Sequence, residues 1–491
     1  MATTGEEEQR PLLGPTHAPT HNDVDIPIVV EERAGGGSAG ITPLPMKQLS
    51  ILLLMGLCEP ITATVIYPFI AELVNKTGVT GGDSEKIGYY AGLIESVFFL
   101  TESLFVLQYG RASDRLGRRP VLMFGLFGLA LSIFSFGLSK TFGGLLFSRA
   151  LAGALNGNIG VSKSMITELT DETNQAQCFA FMPITWSTGS TLGPFIGGTL
   201  SNPAKHLPRV FDTPFWNEYP YFLPCLIAAA FTASIFVISA LFLEETHHPH
   251  TEPKPPVSTN VIEYGAVNQP TNQLPPKPPS LRSVLTKRAC IAILNYAFLA
   301  LGDVAYVCII PVMFAASVQN GGLGLTPRSI GLVLGAQGLV TGVFQVLCFA
   351  PIHRRLGSKR MFVIGLAAYT CLTMSLPIMN ALARRGMWQA MWIVIGLHIA
   401  ITCPAFMAFG CMTIFVTSAA PSKSSLGTLN GVSQTTISIC RAIGPAAATS
   451  LFALSIDHNL LGGQLVYVAL VAVNIGGLIA SQWLKEEGRA H

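Results

Sequence analysis

The sequence predicts an all-α membrane protein in which twelve transmembrane helices form two pseudo-symmetric six-helix bundles. Three observations carry that prediction. Half of the 491 residues (50%) are hydrophobic and only 12% are charged, about half the charge of an average soluble protein. Apolar runs recur at lengths near the roughly 20 residues that cross a bilayer as a helix. A polar, proline-rich stretch divides those runs into six and six.

Residues 1–45 are polar, acidic and rich in Gly and Pro, and read as a disordered cytosolic tail rather than a cleavable signal. Within it, Glu8-Gln9-Arg10-Pro11-Leu12-Leu13 resembles an acidic dileucine sorting signal, which would favour a vacuolar or lysosomal membrane. The first bundle, 46–243, holds apolar runs near 48–74, 86–109, 120–138, 142–166, 176–200 and 221–243. A cytosolic linker, 244–287, contains Pro-Lys-Pro-Pro and Leu-Pro-Pro-Lys-Pro-Pro and has too little apolar surface to fold alone. The second bundle, 288–486, holds runs near 289–316, 328–351, 360–380, 389–417, 427–454 and 463–484, and 487–491 form a cytosolic C-terminus.

The halves register on one another at three places. Ile66-Tyr67-Pro68 in the first run corresponds to Ile309-Ile310-Pro311 in the seventh. Arg115-Leu116-Gly117 after the second corresponds to Arg355-Leu356-Gly357 after the eighth, and Gly193-Pro194 in the fifth to Gly444-Pro445 in the eleventh. Similar offsets at corresponding runs indicate an internal repeat, which places a substrate site at the interface of the halves. Prolines at 60, 68, 194, 224, 311, 404 and 445 mark candidate kinks.

Loop charge sets the orientation. The loops after runs two, four, six, eight and ten hold 14 Lys and Arg, among them Arg111, Arg115, Arg118, Arg119, Arg354, Arg355, Lys359, Arg360 and Lys423, against 8 in the opposite loops. Both termini and the linker are therefore expected in the cytosol. The sequon Asn75-Lys76-Thr77 then falls outside.

No GxxxxGK[ST] or HExxH occurs, so neither nucleotide-driven transport nor zinc-dependent hydrolysis is indicated. The ten Cys show no CxxC spacing and read as small packing residues. His247-His248-Pro249-His250 lacks a fourth ligand and fixed geometry, and reads as solvated linker rather than a metal site. The informative residues are charges inside apolar runs: Glu59, Glu95, Glu102, Arg149, Asp303 and Arg441. Each costs about 2.5–3.5 kcal/mol at a helix centre, so most must face protein or a watery cavity. A carboxylate withdrawn from water favours its neutral form and can exchange protons near neutral pH. Glu59, Glu95 and Asp303 are accordingly candidates for proton coupling, with Arg149 and Arg441 neutralising the acids between loadings; the alternative is that these pairs only hold helices together. Glu102 lies nearer the cytosolic end, where Arg111 or Arg115 could pair with it. Lys163 reads as a snorkelling residue and His398 as a hydrogen-bonded core histidine.

Gly110-Arg111-Ala112-Ser113-Asp114-Arg115-Leu116-Gly117-Arg118-Arg119 resembles the signature loop between the second and third helices of the major facilitator superfamily, with Ala112 in place of the usual Leu. Its two glycines suit a tight turn and close helix approach, and Asp114 among the arginines suits a charge latch on the cytosolic face. Gly189-Ser190-Thr191-Leu192-Gly193-Pro194-Phe195-Ile196-Gly197-Gly198 is similar to the fifth-helix antiporter motif of that family. Leu145 to Gly153, with Arg149 inside, is similar to its fourth-helix proton-transfer motif, although Ala152 replaces the usual Gln. Glu59, nine residues before Pro68, matches the acid and proline of first helices in drug exporters.

The resemblance is closest to the drug:proton antiporter branch, with plant zinc-induced-facilitator-like proteins and fungal exporters of secondary metabolites. It implies a major facilitator fold and alternating-access export of small amphipathic organic molecules by a monomer in the plasma or vacuolar membrane. Protons, the solute and the lipid bilayer are the expected partners, with no cofactor, metal or nucleic acid. Nutrient symport, metal or metal-chelate transport and a non-transporting receptor are the alternatives.

Overall fold

Helices carry all the regular structure among the described residues, which are 42–171, 174, 178, 181–246, 281–421 and 426–485 of this computed structural model. The dileucine-like sequence, His247–His250, the bulk of the linker, Lys423 and the residues from 486 onward lie outside that set. From Pro43 onward the chain belongs to one compact unit.

The first apolar run folds as α1 (Met46–Thr64) and α2 (Ile70–Lys76). Between them the chain turns over 65–69. Pro68 lies in that turn, with no N–H to donate and a ring that crowds the preceding turn. The second and third runs are α3 (Ile87–Leu116) and α4 (Arg118–Gly137). The fourth is split into α5 (Phe142–Leu155) and α6 (Asn158–Leu169), and α7 (Met182–Leu200) and α8 (Phe222–Phe242) complete the first half. In the second half, α9 (Lys287–Ala315), α10 (Pro327–Leu356), α11 (Ser358–Arg384), α12 (Trp388–Ser418), α13 (Leu426–Asp457) and α14 (Leu465–Ser481) follow in order.

Among the described residues, 9 helices are long and apolar enough to cross a bilayer. The other predicted runs fall short for local reasons. Asn156-Gly157 divides the fourth run, α7 is rich in Ser, Thr and Gly, and α14 has 17 residues. Large apolar side chains such as Phe147 (68%), Leu347 (66%) and Ile393 (73%) are exposed, as lipid-facing positions of a membrane protein should be.

Hydrogen-bonding caps account for several helix starts. Thr141, Thr286 and Thr326 accept from the backbone N–H of Gly144, Ala289 and Ser329 at 3.2, 3.2 and 3.4 Å. At the end of α3, Gly117 takes φ 100° and its N–H donates to the Ser113 carbonyl at 3.2 Å. The corresponding Gly357 after α10 takes φ 80° and donates to the His353 carbonyl at 2.9 Å. Only glycine enters that region without strain, so this registration of the halves is a repeated backbone turn. The proline registration is less symmetric: the chain turns around Pro68, whereas α9 runs on through Pro311 to Ala315.

Two long seams join the halves: α3 packs on α13, and α7 packs on α10. Both depend on glycine. A Cβ on Gly92 would lie 1.8 Å from Thr449 Oγ1, and one on Gly198 would lie 2.7 Å from Gly331 Cα. Backbones approach this closely in membranes where small residues meet. Where Pro445 interrupts the hydrogen bonding of α13, the Ala446 N–H donates across the seam to Ser96 Oγ at 2.9 Å.

Candidate substrate and proton site

A cavity of about 370 Å³ lies between the halves. Thr64 and Tyr67 from the end of α1 and its turn, Phe99 of α3, and Trp186, Ser187, Ser190 and Pro194 of α7 line the first half's side. Facing them are Asp303, Val304, Val307 and Ile310 of α9, Leu334, Gln337, Gly338, Thr341 and Gln345 of α10, Phe406 and Phe409 of α12, and Arg441 of α13. The wall is thus largely aromatic and aliphatic with a few polar groups, the usual make-up of a small-molecule site.

Of the five charges expected on the pathway, Asp303 and Arg441 line this cavity. Asp303 Oδ1 accepts the Tyr369 hydroxyl at 2.7 Å. Behind it, Tyr306 meets Tyr369 edge-on and stacks on His398, with centroids 5.9 and 5.7 Å apart. The Ser375 hydroxyl donates to the Leu372 carbonyl at 2.7 Å, so it accepts from His398 Nδ1 at 2.6 Å. His398 Nε2 then accepts from the Tyr306 hydroxyl at 2.6 Å. This pattern fixes a neutral Nδ1–H imidazole in the core.

Arg441 stands over the Phe99 ring at 5.9 Å. It makes no ion pair among the described residues, although its charge is felt by Asp303, Glu59 and Glu102.

Glu95 and Arg149 form a different kind of arrangement. Their side chains are 7% and 4% exposed and meet at 3.3 Å between Glu95 Oε1 and Arg149 Nη2. The same Nη2 donates to the Ala63 carbonyl at 3.2 Å, and the guanidinium lies 5.7 and 5.2 Å from the Phe98 and Phe136 centroids. This pair sits behind the cavity wall, within electrostatic reach of Tyr67.

Glu59 is buried in α1, and its Oε2 has no hydrogen-bond partner among the described residues. Asn156 hydrogen-bonds to it, Arg441 and Lys163 are its charged neighbours, and Glu59 and Arg441 are the charges felt by Glu102. The expected Glu102 contact with Arg111 or Arg115 is replaced by one with Asn156, whose Nδ2 donates to Glu102 Oε1 at 3.4 Å. The cause is the break between α5 and α6, which turns Asn156 toward α3. Asn156 was not singled out from the sequence, yet Asn156-Gly157-Asn158 inside an apolar run was a legible turn signal. Gln337, Gln345, Trp186, Tyr306 and Tyr369 were likewise missed, because uncharged residues carry no such flag.

The basic loop gathers acids from distant segments. Arg118 Nη1 donates to Asp114 Oδ1 at 2.5 Å and to Ser113 Oγ at 2.7 Å, while Nε and Nη2 reach Glu168 Oε1 at 3.0 and 2.9 Å. The Glu245 carboxylate caps α4, accepting from the N–H groups of Arg118 at 2.8 Å and Arg119 at 3.0 Å. Arg119 also donates to the Ala240 carbonyl at 2.5 Å, and Arg115 is exposed. Gly117 supplies both the turn and a close approach, since a Cβ there would lie 2.5 Å from Glu245. Gly110, also expected to permit close approach, lies inside α3 with nothing within 4 Å of its Cβ position.

The fifth-run glycines face two partners. Cβ atoms on Gly189, Gly193 and Gly197 would lie 2.4 Å from Pro60, 2.1 Å from Thr64 Oγ1 and 1.9 Å from the Val65 carbonyl, so they seat α7 on α1. Gly198 seats it on α10, and Pro194 borders the cavity. At Gly444, the repeat counterpart of Gly193, a Cβ would lie 2.4 Å from Val304 Cγ1 of α9. Among the described residues no group of three His, Cys, Asp or Glu has the geometry of a metal site.

A helical membrane fold with a cavity between two repeated halves defines a class of transporters, and comparison with known proteins agrees. The Major Facilitator Superfamily model matches residues 52–445, and the chain belongs to that family. It is 30% identical over 475 residues to the major facilitator-type transporter psiT2 of Psilocybe cyanescens, covering 89% of this chain and 90% of that protein. To the efflux pump azaK of Aspergillus niger it is 28% identical, covering 98% and 95%. Zinc-induced-facilitator proteins of Arabidopsis thaliana are also relatives, at 26% identity. The crystal structure of the human organic anion transporter MFSD10 superposes with a TM-score of 0.59 at 21% identity, covering 90% of this chain and 100% of that one. The chain is therefore an integral multi-pass membrane protein with the major facilitator fold, a secondary transporter and not an enzyme.

Proposed function

We propose that this transporter exports small amphipathic organic molecules in exchange for protons. The single observation that carries the reading is the cavity between the halves, with Asp303 and Arg441 in its wall and Glu59 and the Glu95–Arg149 pair close behind. The bundles 46–243 and 288–486 rock against one another, the glycine seams of α3 on α13 and α7 on α10 serving as sliding surfaces. Protons load on Glu59, Glu95 or Asp303 as the solute leaves, and the arginines compensate the acids once they are empty. The basic loops and both termini face the cytosol, in a plasma or vacuolar membrane, and the protein acts as a monomer. The similarity to the efflux pump azaK supports export over uptake.

Reconstitution in vesicles loaded with a pH dye tests this reading. Proton flux that appears only with certain solutes, and reverses with the solute gradient, is the expected result. Solute movement with no proton flux would demote the acids to structural roles.

A further inference from the structure

We infer that the cavity selects planar aromatic solutes bearing an oxyanion, with Arg441 as the anion-binding group and the amide oxygens of Gln337 and Gln345 receiving the solute's N–H or O–H donors. This inference rests on the transport reading above and adds the chemistry of the solute.

The argument starts from the two charges in the wall. The Asp303 carboxylate already accepts a hydroxyl from Tyr369 at 2.7 Å. Arg441 has no acid at ion-pair distance among the described residues and lies over the face of Phe99, at 5.9 Å. A guanidinium presents five N–H donors in a planar fork matched to carboxylate, sulfonate and phosphate oxygens. A guanidinium whose fork meets no acid at ion-pair distance among the described residues is the stronger of the two unmet demands, even with Asp303, Glu59 and Glu102 in its field. Oxyanions satisfy it; a cationic solute adds like charge.

Two further atoms set the remainder of the solute. Oε1 of Gln337 and Oε1 of Gln345 are buried and have no hydrogen-bond partner among the described residues, and both residues belong to the cavity wall. A buried carbonyl without a donor costs about 1–3 kcal/mol, so a solute that supplies donors gains where a purely hydrophobic one does not. They lie on the face of α10 that carries Gly338 and Thr341 to the same cavity. Phe99, Trp186, Phe406 and Phe409 complete the wall with ring surfaces suited to flat bodies. A volume of about 370 Å³ is at the small end of ligand pockets, which favours one compact ring system over an extended amphiphile.

Equilibrium titration of the full chain in detergent, with no gradient, tests the inference separately from coupling. The probes are naphthalene carboxylate, sulfonate and phosphate, with naphthamide and naphthylmethylamine as neutral and cationic counterparts. The expected result is that at least one oxyanion binds at least about tenfold more tightly than the amide and amine, from the strength of a charge-assisted contact. Arg441→Gln should abolish that margin, Arg441→Lys should keep part of it, and Lys205→Gln, an exposed cation elsewhere, should change nothing. Hydroxynaphthoate should outbind its methoxy ether about threefold or more, as the amide oxygens require.

The wild-type probe series decides the matter even if Arg441→Gln does not purify as a folded protein. Tightest binding of the amine, an oxyanion preference that survives Arg441→Gln, or no binding of any oxyanion would overturn the inference. A positive titration with no proton-coupled flux in vesicles would instead overturn the coupling reading and leave the solute chemistry standing.

Discussion

Removing one member of the Glu95–Arg149 pair should cost more than removing both. The pair lies where side chains are 7% and 4% exposed, and its contact of 3.3 Å is long for an ion pair. Breaking a buried pair leaves an uncompensated charge, at about 3–5 kcal/mol. Here the loss is softened from the cation's side. Arg149 keeps the Ala63 carbonyl at 3.2 Å and two ring faces, and each ring is worth about 0.5–2 kcal/mol. Glu95→Gln should therefore destabilise by about 2–3 kcal/mol once those contacts are subtracted. Arg149→Met leaves a carboxylate that can escape by taking a proton, so its cost should be about 2 kcal/mol. In the double variant neither charge remains, and an apolar replacement of a buried pair is often close to neutral. The coupling free energy from the cycle should then be about 4–5 kcal/mol in magnitude, since both single costs vanish in the double variant. Unfolding in mixed micelles supplies the numbers, followed by the reactivity of the buried thiols of Cys58, Cys225 and Cys411. A coupling below about 0.5 kcal/mol would refute the reasoning: Glu95 would then be neutral at rest and Arg149 held by carbonyl and rings alone.

The glycine seams predict opposite outcomes for one chemical change. Gly197→Ala places a methyl 1.9 Å from the Val65 carbonyl and should destabilise by at least about 1–3 kcal/mol, whereas Gly160→Ala meets nothing within 4 Å and should be neutral or stabilising by about 0.5–1 kcal/mol; thermal midpoints in detergent check both. On the face opposite the basic loops, Glu85 meets Asp457 across the α3–α13 seam, with Asp83, Lys86 and His458 as the other charged or titratable groups nearby. Burial, then the hydrogen bond and charge of Asp457, hold the Glu85 carboxyl above its ordinary pKa. The closed seam thus binds the proton more tightly than an open, solvated one. Closure is favoured in acid and weakens as pH rises through that raised value. Glu85→Gln should flatten the pH dependence of the distance between spin labels at Tyr89→Cys and Leu454→Cys, and an unchanged slope would exclude Glu85. Glu245→Ala removes the carboxylate capping α4 and should cost about 1–2 kcal/mol while increasing hydrogen exchange at the N–H groups of Arg118 and Arg119; full protection in the variant would contradict the capping role.

The all-helical membrane fold, the repeated Gly117 and Gly357 turns and the close packing of the fifth-run glycines were legible because each rests on local chemistry. Apolar length measures bilayer thickness, and positive φ demands glycine. The intramembrane charges were legible for the same reason, since water-loving groups in apolar runs need an explanation wherever they lie. What the charges touch was not. Glu59, Glu95 and Asp303 look alike in the sequence, yet they end in a polar cluster, a buried ion pair and a cavity wall. Glu102 meets Asn156 rather than the basic loop because the fourth run breaks one residue beyond Leu155. Arg118 finds Glu168, and α4 is capped by Glu245, across 50 and 127 residues of sequence. By itself the sequence determined the class of protein, its membrane spans and the residues whose desolvation demands partners. Tertiary structure alone decided which partners they have, and which arginine and amide oxygens at the cavity lack one among the described residues. Those depend on where helix breaks and packing seams bring distant residues together, and no local preference encodes that.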